Sequence, residues 1–327
     1  MIVSKTPFRI SFVGGGSDHF NLKSSIPGKV ICTTINKYMY ININKKHDDK
    51  VRLSYSVTEN TNNVKELDHL LIKKSLEYFK IKNGIEITTL ADIPSSGSGL
   101  GSSSTLCVGL TKALNKFKGK EISKENLSKT AAMIEIEKCK KPIGMQDHYA
   151  AAYGGFNSII FNQNKTVSVK KVNVSEKRLN IFKKHLIMFY SGINRKADKI
   201  LGIIKKEKKH NTNYEVLSRL ANQFEYELCE GDLQNTAEIL HENWMLKKNL
   251  HRKVSSTNLN EVYENALQAG ALGGKLLGAG GGGYFIFFAK PSNHKRIIKR
   301  LKKFQSVDFD FSKDGSSYLT IWQSNNE

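Results

Sequence analysis

The sequence lacks any run of about 18 apolar residues, the length a helix needs to span a bilayer. Its first stretch, MIVSKTPFRISFVGG, reaches turn glycines too early for a secretory leader and reads as a first strand. These absences lead to the expectation of a cytoplasmic protein with no membrane partner. Cysteine is scarce. Cys32, Cys107, Cys139 and Cys229 form no CxxC pair and have no histidines grouped near them, which argues against a zinc site or a disulfide framework and fits reduced thiols. Cys107 falls in an apolar helical stretch and reads as core. Acidic residues are also few: 30 Asp and Glu stand against 51 Lys and Arg, a net charge of +21. Such an excess is the footprint of nucleic-acid binding. The lysines, however, are spread along the whole chain, and the densest runs, Lys205 to Lys209 and Lys299 to Lys303, read as solvated helix faces. The charge suits an enzyme that steers anionic ligands, and no nucleic-acid partner is expected.

Familiar nucleotide signatures are missing too. No GxxxxGK[ST] occurs, which excludes the P-loop NTPases in their usual form, and the HRD and DFG elements of protein kinases are absent. Gly278-x-Gly280-x-x-Gly283 has the letters of the dinucleotide fingerprint but precedes a strand instead of opening a helix, so it is rejected. No internal repeat and no low-complexity segment is visible.

What is present is a chain of 327 residues, 39% hydrophobic and 25% charged, long enough for two domains. Strands are expected over Ile2–Phe12, Val30–Ile43 (one strand or a pair), Val51–Tyr55, Ile85–Leu90, Phe156–Phe161, Leu186–Tyr190, Tyr284–Ala289 and Tyr318–Trp322. Helical spacing runs over Asn63–Phe79, Leu106–Phe117, Asn126–Cys139, Leu259–Gly270 and His294–Phe304, with mainly helix from Arg195 to His251. Asn162–Lys184 reads as a polar separator between two mixed α and β halves.

The most informative stretch is Pro94-Ser-Ser-Gly-Ser-Gly-Leu-Gly-Ser-Ser-Ser104, built almost entirely of Gly and Ser and opening directly into a helix. Small residues let backbone come close to a ligand, and the free N–H groups at a helix start hold phosphate oxygens. An ordinary N-capped loop needs one capping residue, not this density, so a phosphate site is the better reading.

This loop resembles the phosphate loop of the GHMP kinases, and two further motifs of that superfamily follow in the same order. Thr6-Pro-Phe-Arg-Ile-Ser-Phe-Val-Gly-Gly-Gly-Ser-Asp18 resembles the first, and Gly274-Lys-Leu-Leu-Gly-Ala-Gly-Gly-Gly-Gly283 the third. Within the superfamily the phrases TPFRISFVGGGSD, TTINKY, SGLGSSS, GMQDHYAAAYGGFN and GGKLLGAGGGG resemble the heptose 7-phosphate kinases of bacterial surface-glycan pathways. The fucose-type kinases share much of the pattern. The resemblance implies an α+β fold with an N-terminal nucleotide-binding α/β domain, about residues 1–165, and a ferredoxin-like C-terminal domain over 166–327. It further implies ATP and Mg2+ as cofactors, a small-molecule sugar phosphate as partner, and a monomer or homodimer.

Site residues follow from the same resemblance. Pro94, Gly97, Gly99, Leu100, Gly101, Ser102, Ser103 and Ser104 would hold the nucleotide. Asp147 matches the catalytic aspartate, which would accept or orient the proton of the attacking hydroxyl; without the resemblance a helix cap would be the simpler reading. Arg9 would pair with it, and on sequence alone a solvent-facing strand arginine is equally plausible. Asp18, with Gly15 and Gly16, would meet the sugar, although an aspartate after three glycines is also an ordinary turn residue. Ser103 and Glu135 would hold Mg2+, Glu137 lying on another helix face. Lys275, Gly280 and Gly281 of the third motif are placed at the substrate, Lys275 against a phosphate. Arg195 is a candidate for a distal phosphate. A free-sugar 1-kinase and a catalytically silent sugar sensor are the alternatives.

Overall fold

The protein is described by a computed structural model over residues 1–18, 26–94, 97–193, 202 and 211–319. The first strand, β1 (Ile2–Val13), runs antiparallel to β2 (Gly28–Lys45) from Ile2 opposite Ile43 to Val13 opposite Ile31. The second apolar run is thus one strand of 18 residues rather than a pair. Its length lets it serve as the common partner of four others. A short hairpin, β3 (Val51–Ser54) and β4 (Thr58–Thr61), precedes α1 (Leu70–Tyr78), and β5 (Ile85–Ala91) pairs with both β2 and β3. The β3–β5 pairing is parallel, and among the described residues every other pairing is antiparallel.

Helix α2 (Ser102–Phe117) lies across β1 and β2, with Ser4 Oγ donating to Gly109 O at 2.9 Å. Beside it pack α3 (Lys124–Ala132) and α4 (Gln146–Tyr153), and β6 (Phe156–Phe161) then returns to β2. The stretch read as a polar separator holds two elements, β7 (Val167–Lys171) on β6 and α5 (Glu176–Lys184). Its polarity reflects one solvent-facing side: the exposed lysines alternate with Val172 and Phe182, which are buried.

A second sheet follows, in the order β11 (Gln305–Ser306), β8 (Leu186–Tyr190), β10 (Tyr284–Ala289), β9 (Ala271–Leu276). It is flanked by α6 (Asn211–Cys229), α7 (Leu233–Lys248), α8 (Thr257–Gln268) and α9 (His294–Arg300). The chain does not stay there. β12 (Phe311–Ser312) pairs with β2, and β13 (Ser317–Tyr318) pairs with β1, so the first sheet is completed by residues from the far end. The last part of the expected final strand, from residue 320 on, lies outside the described residues.

One aromatic cluster joins the halves. Phe12 packs on Phe156, Phe182, Phe224 and Phe311 at centroid separations of 5.4–6.4 Å, and Phe182 meets Phe288 of the second sheet at 5.9 Å. Rings at such spacing add roughly 1 kcal/mol per pair to the burial of their apolar surface. Among the described residues no helix is long and apolar enough to cross a membrane.

Candidate active site

Strand β1 supplies both core and site by its two-residue period. Phe8, Ile10 and Phe12 are fully buried in the main core. Arg9 and Ser11 alternate with them and face α4. The β1–β2 register shifts between Pro7 and Arg9 and again between Ser11 and Val13, and irregularities of this kind re-aim side chains near sites. Arg9 Nε donates to Asp147 Oδ1 and Nη2 to Asp147 Oδ2, both at 2.7 Å, while Nη1 donates to Gly99 O at 2.8 Å. Ser11 Oγ donates to Gln146 Oε1 at 3.0 Å.

Asp147 therefore caps nothing. It sits in the first turn of α4, whose N-cap is Met145, and turns its carboxylate to the guanidinium. Its side chain keeps 21% exposure against 3% for Arg9, so the carboxylate has an open side and the arginine does not. Beside the pair, burial pushes the Cys32 thiol up to about 12, with Arg9 pulling it down and Asp147 pushing it up. Cys32 therefore stays a thiol.

The Gly/Ser loop lies against this pair. Gly101 is the N-cap of α2 in the left-handed conformation, and no side chain caps the helix, so its first N–H groups have no side-chain partner. The helix starts at Ser102 and not at Leu106, because the serines form its first turn. Ser98 Oγ and Ser102 Oγ are 2.5 Å apart and knit the loop, with Leu100 N–H donating to Ser98 Oγ at 3.2 Å. The third motif clamps the loop from behind. A Cβ on Gly99 would stand 2.4 Å from Leu277 O, and one on Gly278 would stand 2.4 Å from Gly99 Cα, so the two backbones touch only because both residues are glycine. Pro94 and Gly97 lie in the same loop, and Tyr284 N–H donates to Ser98 O at 3.0 Å.

Glu135 sits on a widened turn. The expected single helix over Asn126–Cys139 is α3 followed by a π-helical turn, Met133–Lys138, in which Cys139 N–H bonds Ile134 O at 3.0 Å. π turns concentrate at functional sites. Here the wide turn carries the fully buried Glu135 to four donors: Ser103 Oγ at 2.5 Å, Ser104 Oγ at 2.8 Å, His148 Nε2 at 2.8 Å and Lys141 Nζ at 3.0 Å. Burial alone would raise the carboxyl; His148, Lys141 and Ser103 outweigh it and hold the group down at about 2. Glu137 is exposed.

Ser103 and Glu135 offer magnesium a hydroxyl and a carboxylate oxygen, the hard donors that ion takes, so the donor set fits it in kind. Among the described residues, no cluster of three His, Cys, Asp or Glu stands as a metal cage. A cation bound mainly by phosphates and water needs none.

Asp18 is 2% exposed, and its oxygens accept from Gly16 N–H at 3.1 Å and from Gln146 N–H at 3.0 Å. It ties the Gly14–Gly16 turn to the start of α4, one residue from Asp147. Tyr214 of α6 covers Gly16: a Cβ at residue 16 would be 2.9 Å from Tyr214 Cε1. Gly15 is buried against Ser11 and Gln146.

Three assignments fare differently. Lys275 is 1% exposed and donates to Phe12 O at 2.6 Å, so its amine nitrogen joins β9 to β1 and has no open face for a phosphate. Gly281 N–H bonds Val254 O at 2.6 Å, and Gly280 packs on Val254. These glycines close the loop onto its own neighbour. Arg195 lies outside the described residues. Conversely, Gln146, Lys141, His148 and Tyr214 join the site without a warning in the sequence. Only the adjacency of Gln146 and His148 to Asp147 pointed at them.

Comparison with known proteins agrees with this architecture. The model of the GHMP kinases N terminal domain matches residues 64–155, and that of the GHMP kinases C terminal matches residues 224–306. A D-glycero-alpha-D-manno-heptose 7-phosphate kinase of Campylobacter jejuni is 31% identical over 96% of this chain and 97% of its own length. Among solved structures, a D-glycero-D-manno-heptose 1-phosphate kinase of Bacteroides thetaiotaomicron superposes with a TM-score of 0.81 at 24% identity, covering 99% of this chain and all (100%) of that one. A putative sugar kinase from Campylobacter jejuni superposes with a TM-score of 0.77 at 28% identity, covering 98% of each chain. With both family domains matched in order and a relative 31% identical over 96% of this chain, the chain belongs to the GHMP kinase family.

Proposed function

We propose that the protein transfers the γ-phosphate of ATP to the anomeric hydroxyl of D-glycero-D-manno-heptose 7-phosphate, giving ADP and the 1,7-bisphosphate, a precursor for bacterial surface glycans. The observation that carries a phosphoryl transfer is the Arg9–Asp147 pair, bonded at 2.7 Å and fastened to the phosphate loop through Gly99. The heptose 7-phosphate is taken from the Campylobacter jejuni relative, which matches over nearly the whole of both chains.

Phosphoryl transfer asks mainly for positioning and charge neutralisation. The uncapped start of α2 offers N–H groups and a positive dipole end to the phosphates. Arg9 fixes the orientation of Asp147, so the exposed side of the carboxylate can take the proton of the incoming hydroxyl. Asp18, with Gly15 and Gly16, would hold the sugar. Ser103 and Glu135 would hold magnesium, which supplies positive charge on the transferring phosphate. Pro94, Gly97, Gly101, Ser102 and Ser104 complete the nucleotide loop.

The test is ADP release with Mg-ATP against heptose 7-phosphates, heptose 1-phosphate, free heptose, fucose, galactose and mannose, with Asp147→Asn beside the wild type. Turnover confined to a heptose 7-phosphate and lost in the variant is the expected result. Turnover on a free sugar would make the protein a free-sugar kinase. Bound ATP without turnover on any sugar would make it a sensor.

A further inference from the structure

Lys141 has a place in this site that the phosphoryl-transfer reading does not use. Its Nζ donates to Ser103 Oγ at 2.6 Å and to Glu135 Oε1 at 3.0 Å, and Ser103 Oγ lies 2.5 Å from the same carboxylate oxygen. The three atoms form a closed triangle. Its hydrogens can be assigned: the Ser103 hydroxyl donates to Glu135, so an Oγ lone pair is what meets the ammonium. A lone pair of Ser103 and an oxygen of Glu135 are also what a metal ion would take there. The ammonium therefore stands where the metal's charge would stand.

The local fold puts it there. Beyond the π turn, Lys141 N–H bonds Glu135 O at 3.3 Å, which anchors the residue's backbone over the glutamate. Its side chain then curls back to the carboxylate. Glu135 is wholly enclosed, while the Lys141 side chain keeps 19% exposure, so it covers the solvent side of the pair. The other faces of Glu135 are closed by Ser104 and His148, both on Oε2. Among the described residues, Lys141 is the partner of Oε1 and Ser103 Oγ whose side chain reaches solvent.

We infer that Lys141 is a resident cation of the Ser103–Glu135 site, which a divalent metal must displace in order to bind there. This rests on the reading of Ser103 and Glu135 as the magnesium ligands. In the metal-free enzyme the lysine neutralises a buried carboxylate that would otherwise be short of one partner. When metal arrives, the side chain rotates towards solvent while its backbone stays anchored. The arrangement makes metal binding weak until nucleotide phosphates bring their own charge, so that metal loads with ATP and not ahead of it.

The test is direct binding of Mn2+ to nucleotide-free protein, read as loss of the free-ion signal in electron paramagnetic resonance. The proteins are wild type, Lys141→Met, Ser103→Ala, and Lys141→Met combined with Ser103→Ala. Removing a positive charge a few ångströms from the site should tighten Mn2+ by about tenfold or more, and the added serine change should abolish the gain. Equal affinity in wild type and Lys141→Met, lost in both on Ser103→Ala, would overturn the displacement and leave the metal site standing. No Mn2+ site dependent on Ser103 in either background would overturn both, while ADP release still reports the transferase separately. Should Lys141→Met not fold, amine labelling of the wild type decides. Lys141 should label faster with Mg2+ plus a non-hydrolysable ATP analogue than with the analogue alone, and an equal rate would overturn the inference.

Discussion

Arg9 grips Asp147 with two hydrogen bonds of 2.7 Å and spends its remaining terminal nitrogen on Gly99 O, so one guanidinium sets both the carboxylate and the phosphate loop. A fork of this geometry fixes direction as well as charge. Asp147→Asn should lower kcat by about 10²- to 10⁴-fold while ATP affinity, measured by calorimetry, stays near the wild-type value. Arg9→Lys keeps the charge but not the fork, and should lower kcat by about tenfold or more. Full activity in Arg9→Lys would show that charge alone suffices.

Glu135 makes stability depend on acid. Its carboxyl lies at about 2 in the fold against an ordinary 4.5, because its donors outweigh the penalty of burial. The folded state therefore binds the proton less tightly than the unfolded chain. Its stabilising contribution is complete above pH 4.5 and drains away as pH falls towards 2. Thermal melts of metal-free protein should show Tm falling across that window. Glu135→Gln should flatten the acid limb and cost roughly 3 kcal/mol or more at neutral pH, since it leaves Lys141 and its other donors facing a neutral group.

Gly99 touches the third motif through bare backbone. In Gly99→Ala the new Cβ would stand 2.4 Å from Leu277 O, and the residue would keep a φ of +77°. The left-handed backbone alone costs about 1–2 kcal/mol, and the clash must also push the loop outward. Tm should fall, and KM for ATP should rise more than KM for the sugar. A shift in the sugar KM alone would contradict the clamp.

Asp18 accepts two backbone N–H groups in a nearly closed space, from Gly16 and Gln146. Asp18→Ala leaves both without that acceptor, at about 1–3 kcal/mol each. The expected outcome is a lower Tm and a raised sugar KM with ATP affinity unchanged. Loss of ATP affinity instead would place Asp18 on the nucleotide side.

Lys275 is the opposite case, an amine with nowhere to put a charge. Burial, then Lys247 and Arg9, holds it well below its ordinary value. The unfolded chain takes the proton more readily, so protonation works against the fold at neutral pH and eases as pH rises. Lys275→Met should leave the KM for a phosphorylated sugar unchanged and should not lower Tm at pH 7. A raised KM would restore a phosphate contact.

Much of this was legible in the sequence because it is local. The β-forming residues of Ile2–Phe12 marked a strand, and the density of Gly and Ser at 97–104 marked a helix start left open for anions. Three motifs in order carried the family. What the sequence left open is whatever depends on distant segments meeting. That β12 and β13 close the first sheet is a matter of topology, since two-residue strands carry no periodic signal. Lys275 read as a phosphate ligand from the resemblance of the third motif; its burial, with Nζ on Phe12 O, depends on segments far apart in sequence meeting. The gathering of Ser103, Ser104, Lys141 and His148 on Glu135 required a π turn, and a π turn is set by the competition of donors in space, not by residue propensity. Residue types and their order thus determined which chemistry the chain carries. The tertiary structure decided which oxygen each donor reaches, because distances between segments far apart in sequence are fixed only when the core closes.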